Sequence, residues 1–251
     1  EKADATDPSE RTEAETELIT LAEPFVAQYG RPVFGNGRCL GPLIEAAAAN
    51  TGLGQAVAQG AKRLTQRFGH PGASMTIKGM ELPAYDPRAT WTQALSYMTS
   101  PRGGCHLQGG YSAPLAFCAG YGEFPGNKAE GAALVSRNVC YQNITYDTLG
   151  ICAFAGFSVS LDEMANMLND VIGGALKASD LEQIARRCLI LERIFNHRCG
   201  FTTQDDWLPE RFFDEAISVD GVEIKCSRSD FERMRHEYYE SMGLDDKGQP
   251  T

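Results

Sequence analysis

Apolar residues recurring at every third and fourth position, placed behind Ser-x-x-Glu starts, constrain this chain more than any other feature. Met164, Met167, Leu168, Val171 and Ile172 form one such series, and Ser160 with Glu163 stands just ahead of it. A serine at a helix start accepts a backbone N–H from three residues on, and the glutamate returns the bond. The apolar spacing puts one stripe on one face of a 3.6-residue helix. Leu181, Ile184, Ala185, Cys188, Leu191 and Phe195 form a second face behind Ser179 and Glu182, and Ser229 with Glu232 marks a third start. The spacing predicts a mostly α fold.

Other helices are weaker in the sequence. Residues 43–68 read as two helical pieces hinged at Thr51-Gly52, residues 90–98 as a short helix, and residues 128–146 as a long one weakened by Asn138, Asn143 and Thr145. Residues 1–17, rich in Glu, Asp, Thr and Lys, read as a solvated lead-in, and the apolar pattern at 18–29 is interrupted by Pro24. Glycine and proline clusters break the chain at 31–41, 71–88, 101–104 and 109–126. Asp220-Gly221 before Val222 predicts a small hairpin. Long irregular connections between helices are often functional.

Composition sets outer bounds. Hydrophobic residues make up 43% of 251, enough for a packed core. No apolar run reaches the roughly 18 residues of a membrane span, and no leader pattern opens the chain. A net charge of −10 argues against a broad nucleic-acid face. Eight cysteines are scattered with no CxxC. Free thiols in a reducing cytoplasm are therefore expected, most of them as small core residues. No Cys/His group has the spacing of a zinc site.

Four segments carry chemistry-bearing residues. Thr99-Ser-Pro-Arg-Gly-Gly-Cys-His106 displays Arg102, Cys105 and His106 on a forced turn. An imidazole there exchanges a proton near neutral pH, or serves as a hydrogen-bonded loop brace. Asp147-Thr-Leu-Gly-Ile-Cys152 puts a carboxylate and a thiol on either side of Gly150 and Ile151. A carboxylate accepts paired N–H bonds from a guanidine-like heterocycle edge, and a thiolate binds iron. The plain alternative is a polar turn before a buried cysteine. Lys78-Gly-Met-Glu-Leu-Pro-Ala-Tyr-Asp-Pro-Arg88 offers Tyr85, Asp86 and Arg88 either to a pocket or as loop braces. Leu191 to Gly200, then Asp205 to Arg211, reads as packing and capping, His197 and Cys199 included.

In order along the chain, these segments resemble the aldehyde:ferredoxin oxidoreductase family. Gly54 to Gly60 with Phe68-Gly69 and the tail from Tyr238-Tyr239 to Pro250 add to the likeness. The resemblance implies two helical lobes like that family's C-terminal domains: residues 1–30 a lead-in with a short helix, 31–80 the end of a first lobe, and 81–251 a second. The boundary is expected near 70–90. It implies a tungsten-bispterin cofactor and a 4Fe–4S cluster. The family's Asp-x-x-Gly-Leu-Cys pattern binds pterin through its Asp and the cluster through its Cys. Here the pattern is Asp147 to Cys152, with Gly150 retained and Ile151 in place of Leu. The family's Gly-Cys-His pattern makes His106 the histidine beside tungsten, and Tyr85 is expected to line the substrate pocket.

The implied activity is oxidation of a small aldehyde to a carboxylic acid, with electrons passing to ferredoxin. The alternatives are reduction of an aromatic acyl thioester by a tungsten enzyme of the same family, or a cofactor-free helical module that binds other subunits. The family's N-terminal base domain, CxxCxxxC motif and earlier Asp-x-x-Gly-Leu-Asp motif do not occur in these 251 residues. Their place is expected on a missing N-terminal domain or a separate subunit. This chain alone is then expected to be inactive. A homo-oligomer is compatible with the sequence.

Overall fold

The computed structural model describes residues 11–108, 126–156 and 158–251. The irregular segment expected at 109–126 lies almost wholly outside the described residues. The fold is mostly α. Its described elements are eleven helices and two two-stranded hairpins. The chain divides into two compact units between Met75 and Thr76.

The first unit holds α1 (Glu13–Tyr29), α2 (Leu40–Ala48), α3 (Gly52–Val57) and α4 (Ala61–Arg67). Helix α1 begins well inside the stretch read as a lead-in. Thr12 caps it, accepting from Glu15 N at 3.2 Å while the Glu15 carboxylate accepts from Thr12 N at 2.9 Å. This Thr-x-x-Glu box was legible at 12–15 but hidden by the polar composition around it. The helix also runs through Pro24. Proline costs one backbone bond and crowds the preceding turn, but burial of Phe25 beside Tyr29, Leu53 and Leu43 holds the helix together. Residues 43–68 form three pieces rather than two, because Gly60, at φ 81°, makes a second break.

The second unit opens with β1 (Thr76–Ile77) and β2 (Met80–Glu81), paired Thr76 to Glu81 and Ile77 to Met80. Helix α5 (Trp91–Thr99) follows, with all nine residues buried. It packs against α6 (Ala132–Leu149), which also meets α9 (Ala178–Arg198) and α11 (Arg228–Met242). The Ser96 and Ser136 hydroxyls bond at 2.7 Å where α5 and α6 meet, so neither polar group is left unpaired in the core. Helices α7 (Ala153–Gly156) and α8 (Leu161–Ile172) cover the end of α6. There Tyr146, Met164, Ala165 and Leu181 form one cluster.

The Ser160–Glu163 box caps α8 as the sequence predicts. The other two starts shift by two residues. Helix α9 begins at Ala178, where the Asp180 carboxylate accepts from Lys177 N at 2.8 Å. Helix α11 is capped by Ser227, which accepts from Asp230 N at 3.4 Å. At α9 an aspartate carboxylate does the work expected of glutamate, and at α11 an earlier serine does the capping, so each Ser-x-x-Glu pair sits inside a helix already begun. After α10 (Arg211–Asp214), β3 (Ile217–Val219) and β4 (Val222–Ile224) form the hairpin expected around Asp220-Gly221.

Candidate functional site

The candidate site lies in the second unit, where the turn after α5 meets the end of α6. The turn carries Arg102, Cys105 and His106. Its shape follows from how closely it lies on the β1–β2 hairpin. A side chain at Gly103 would start 2.2 Å from the Ile77 carbonyl oxygen, and Gly103 sits at φ 90°, so only glycine fits.

Buried charge fixes the same turn from below. Lys78 Nζ donates to the Met98 carbonyl at 2.6 Å, Arg193 Nη1 to the Thr99 carbonyl at 3.4 Å, and Asn196 Nδ2 to the Pro101 carbonyl at 2.7 Å. Lys78 and Arg193 both pair with buried Asp206, at 2.6 and 2.7 Å. Tyr239 donates to the same carboxylate, and Arg193 Nε donates to the Gly248 carbonyl at 3.0 Å. Burial alone would push the Asp206 carboxyl up, but the two cations and the Tyr239 bond outweigh it and hold Asp206 below the usual carboxylate range. Lys78 goes the other way: burial lowers it, and its pairing with Asp206 does not fully compensate. Reading the Arg193 and Asp206 segments as packing named the right kind of role, but nothing in the sequence said that their target was the His106 turn.

On that turn His106 is half-buried, and its ring lies 5.6 Å from the ring of Tyr85 with 55° between the planes. Tyr85 itself is exposed. Tyr85 and His106, singled out in separate motifs, are thus neighbours. Asp86 and Arg88 turn to each other, at 2.9 and 2.7 Å, and Arg88 Nη1 also donates to the Glu215 carbonyl at 2.9 Å. They brace the loop rather than face a pocket.

Across from the turn, α6 ends at Gly150, whose φ of 71° is left-handed. Ile151 N closes the end by donating to the Tyr146 carbonyl at 2.9 Å. The Ile151 side chain packs on the Tyr146 and Met164 cluster, so any contact it offers to a cofactor is through its backbone. Asp147 and Cys152 flank this end, and both are exposed. The plain alternative of a buried cysteine therefore does not hold at Cys152, which is exposed beyond the glycine cap. Cys39, Cys105, Cys140 and Cys226 are buried, and burial pushes Cys140 and Cys226 up to about 12, as inert core thiols. Asp147 meets Arg102 of the turn at 3.3 Å. That ion pair links the His106 turn to the Asp147 helix end.

One more carboxylate belongs here, and the sequence did not single it out. Gln108 is fully buried; it accepts from Ser100 Oγ at 2.8 Å and donates to Glu192 Oε2 at 2.6 Å. Glu192 and Arg102 line one concavity of about 390 Å³ with Pro101, Leu191, Phe195 and Asn196.

The family model described as "Aldehyde ferredoxin oxidoreductase, domains 2 & 3" matches residues 14–251. This chain belongs to the aldehyde ferredoxin oxidoreductase family. Among relatives, the tungsten-containing aldehyde ferredoxin oxidoreductase of Pyrococcus furiosus is 34% identical over 187 residues, covering 73% of this chain and 31% of that protein. The counterpart from Thermococcus kodakarensis is 33% identical, with the same coverage. The chain thus spans about a third of the length of these relatives. Among solved structures, the active-site complex BamBC of benzoyl coenzyme A reductase, in complex with 1,5-dienoyl-CoA, matches with a TM-score of 0.65. That match covers 95% of this chain and 42% of the other at 18% identity, and it shows the shared fold.

The residues present fit the family's cofactors as partial ligands. An exposed carboxylate at a glycine-capped helix end suits the donor edge of a pterin. The exposed Cys152 thiol suits one iron of a cluster. Among the described residues no group of three or more Cys, His, Asp or Glu is placed to hold a metal ion. No described helix is long and apolar enough to cross a membrane.

Proposed function

We propose that this chain supplies the C-terminal part of an enzyme that oxidises small aldehydes to carboxylic acids at a tungsten-bispterin centre, with electrons leaving through a 4Fe–4S cluster to ferredoxin. The observation that carries the reading is the end of α6, where Asp147 and Cys152 stand exposed on either side of one glycine cap. Asp147 holds a pterin by accepting from its N–H edge. Gly150 and Ile151 keep that end of the helix in shape. Cys152 supplies one thiolate to the cluster, five residues from the pterin ligand.

When bound, the cofactor supplies the oxygen-transfer and redox chemistry. This chain's own part is to hold it and move protons. His106, half-buried on a turn anchored by Lys78, Arg193 and Asn196, takes up and releases the proton that aldehyde hydration and oxidation require. Tyr85, 5.6 Å from it, walls the substrate side. The remaining cluster thiolates come from the rest of the enzyme, either on the same polypeptide or on a partner subunit.

Reduction of an aromatic acyl thioester is the competing chemistry. The 33–34% identity to aldehyde-oxidising relatives, against 18% to the benzoyl coenzyme A reductase complex, favours the aldehyde. The test is made on the complete enzyme, produced anaerobically with tungstate. Aldehyde-dependent reduction of ferredoxin is the expected result. Acyl thioester-dependent turnover with no aldehyde activity would reverse the assignment.

A further inference from the structure

Asp147 occupies an awkward place. It is a carboxylate in the last turn of α6, where the helix dipole already concentrates negative charge. Its compensation is Arg102, held by a single contact at 3.3 Å, with both side chains about half exposed. Exposed one-point pairs of this kind are weak and exchange readily with solvent. A guanidinium presents two parallel N–H donors in a plane. The 2-amino and N3–H edge of a pterin presents the same donor pair, so the two compete for one carboxylate.

A displaced Arg102 has somewhere to go. Glu192 lines the same concavity as Arg102. Its carboxylate is fixed by the Gln108 amide at 2.6 Å, and Gln108 is itself fixed by Ser100. Burial pushes the Glu192 carboxyl up, the Gln108 bond and the charge of Arg102 pull it down, and Asp147 pushes it up again. Among the described residues Glu192 is thus a half-buried acid held by an amide and in no ion pair. It already feels Arg102, and it gains if Arg102 turns from Asp147 towards it.

We infer that Arg102 is a placeholder for the pterin edge, resting on Asp147 until a pterin displaces it onto Glu192. The inference rests on the reading of Asp147 as a pterin acceptor. It makes Arg102 and Glu192 positioning residues of the cofactor site. An acceptor occupied by Arg102 part of the time loses apparent affinity in proportion to that occupancy. Transfer to Glu192 restores some of the loss.

The test uses this chain and two fluorescent probes, neopterin, which carries the 2-amino group, and lumazine, which has an oxygen in its place. Binding is followed by quenching of probe fluorescence, with circular dichroism to confirm that each variant is folded. Arg102→Met is expected to tighten neopterin by about two- to five-fold, the size of one exposed ion pair, and to leave lumazine unchanged. Glu192→Gln is expected to weaken neopterin by a similar factor. In the Arg102→Met background it should have no effect, because the group it receives is gone. Arg102→Met that weakens neopterin binding, or leaves it unchanged, overturns the placeholder. Failure of the underlying reading looks different. Neopterin binding that survives Asp147→Asn at full strength, or that is absent from both wild type and Arg102→Met, removes Asp147 as an acceptor and the placeholder with it.

Discussion

At the scale of single residues, His106 and Asp206 divide the work of the turn. His106 faces Tyr85, while Asp206 lies beneath, between two cations. His106→Ala in the complete enzyme is expected to cut turnover by about 10²–10⁴-fold, the usual worth of a positioned proton carrier, with tungsten and iron contents unchanged. His197, at the end of α9, is the control: His197→Gln should alter stability more than rate. Near-normal turnover of a fully metallated His106→Ala enzyme would make the imidazole a loop brace. Asp206→Asn is expected to destabilise this chain by about 3–5 kcal/mol, because it strands Lys78 and Arg193 as buried, uncompensated cations. The sign with pH follows from the lowered Asp206 carboxyl. Its contribution is present in full above the ordinary carboxylate range and is lost as pH falls through its folded value. Urea unfolding from pH 7 down to pH 3 should therefore show wild type and Asp206→Asn converging at the acid end.

At the scale of elements, the end of α6 decides how Asp147 and Cys152 are displayed. Gly150 adopts a left-handed conformation with open space around it, so the cost of Gly150→Ala is backbone strain rather than a clash. A loss of about 1 kcal/mol is expected in denaturant unfolding. A variant as stable as wild type would show that the helix end relaxes freely. In the complete enzyme, Cys152→Ser is expected to lower iron content and ferredoxin reduction while tungsten is retained, since a hydroxyl is a poor match to iron–sulfur chemistry. Iron analysis beside tungsten analysis reads the two effects separately. Retained iron with full ferredoxin reduction would exclude Cys152 as a ligand.

At the scale of the whole molecule, the described residues offer one exposed cysteine at the proposed cluster end, and a cubane takes four thiolates. The 251-residue chain prepared anaerobically is expected to carry no cubane. Iron analysis and the visible absorption spectrum check this. About four irons per chain would overturn it unless subunits share clusters. The chain covers only 31% of its Pyrococcus furiosus relative, so the rest of the donor set is expected from outside these residues.

The sequence alone was enough where local physics decides. Apolar spacing gave the helices around Met164 and Leu181, Asp220-Gly221 gave its hairpin, and the Ser160–Glu163 box gave the start of α8. It also singled out His106, Tyr85, Asp147 and Cys152 as candidates, but their roles came from the family resemblance, because taken alone the same residues fit a loop brace or a polar turn. It misplaced the starts of α9 and α11, where Asp180 and Ser227 cap two residues earlier, and it shortened α1, whose first turn lies among charged residues. Tertiary structure decided what depends on distant partners. Lys78, Arg193 and Asp206 are far apart in the chain and lie together only because the β1–β2 hairpin, α9 and the following loop converge under one turn. Arg102 was visible on its glycine turn, but neither its pairing with Asp147 nor Glu192 is marked by any local motif. Their meaning comes from lying beside Asp147 and Gln108, and proximity across such separations is set by packing, which no local pattern records.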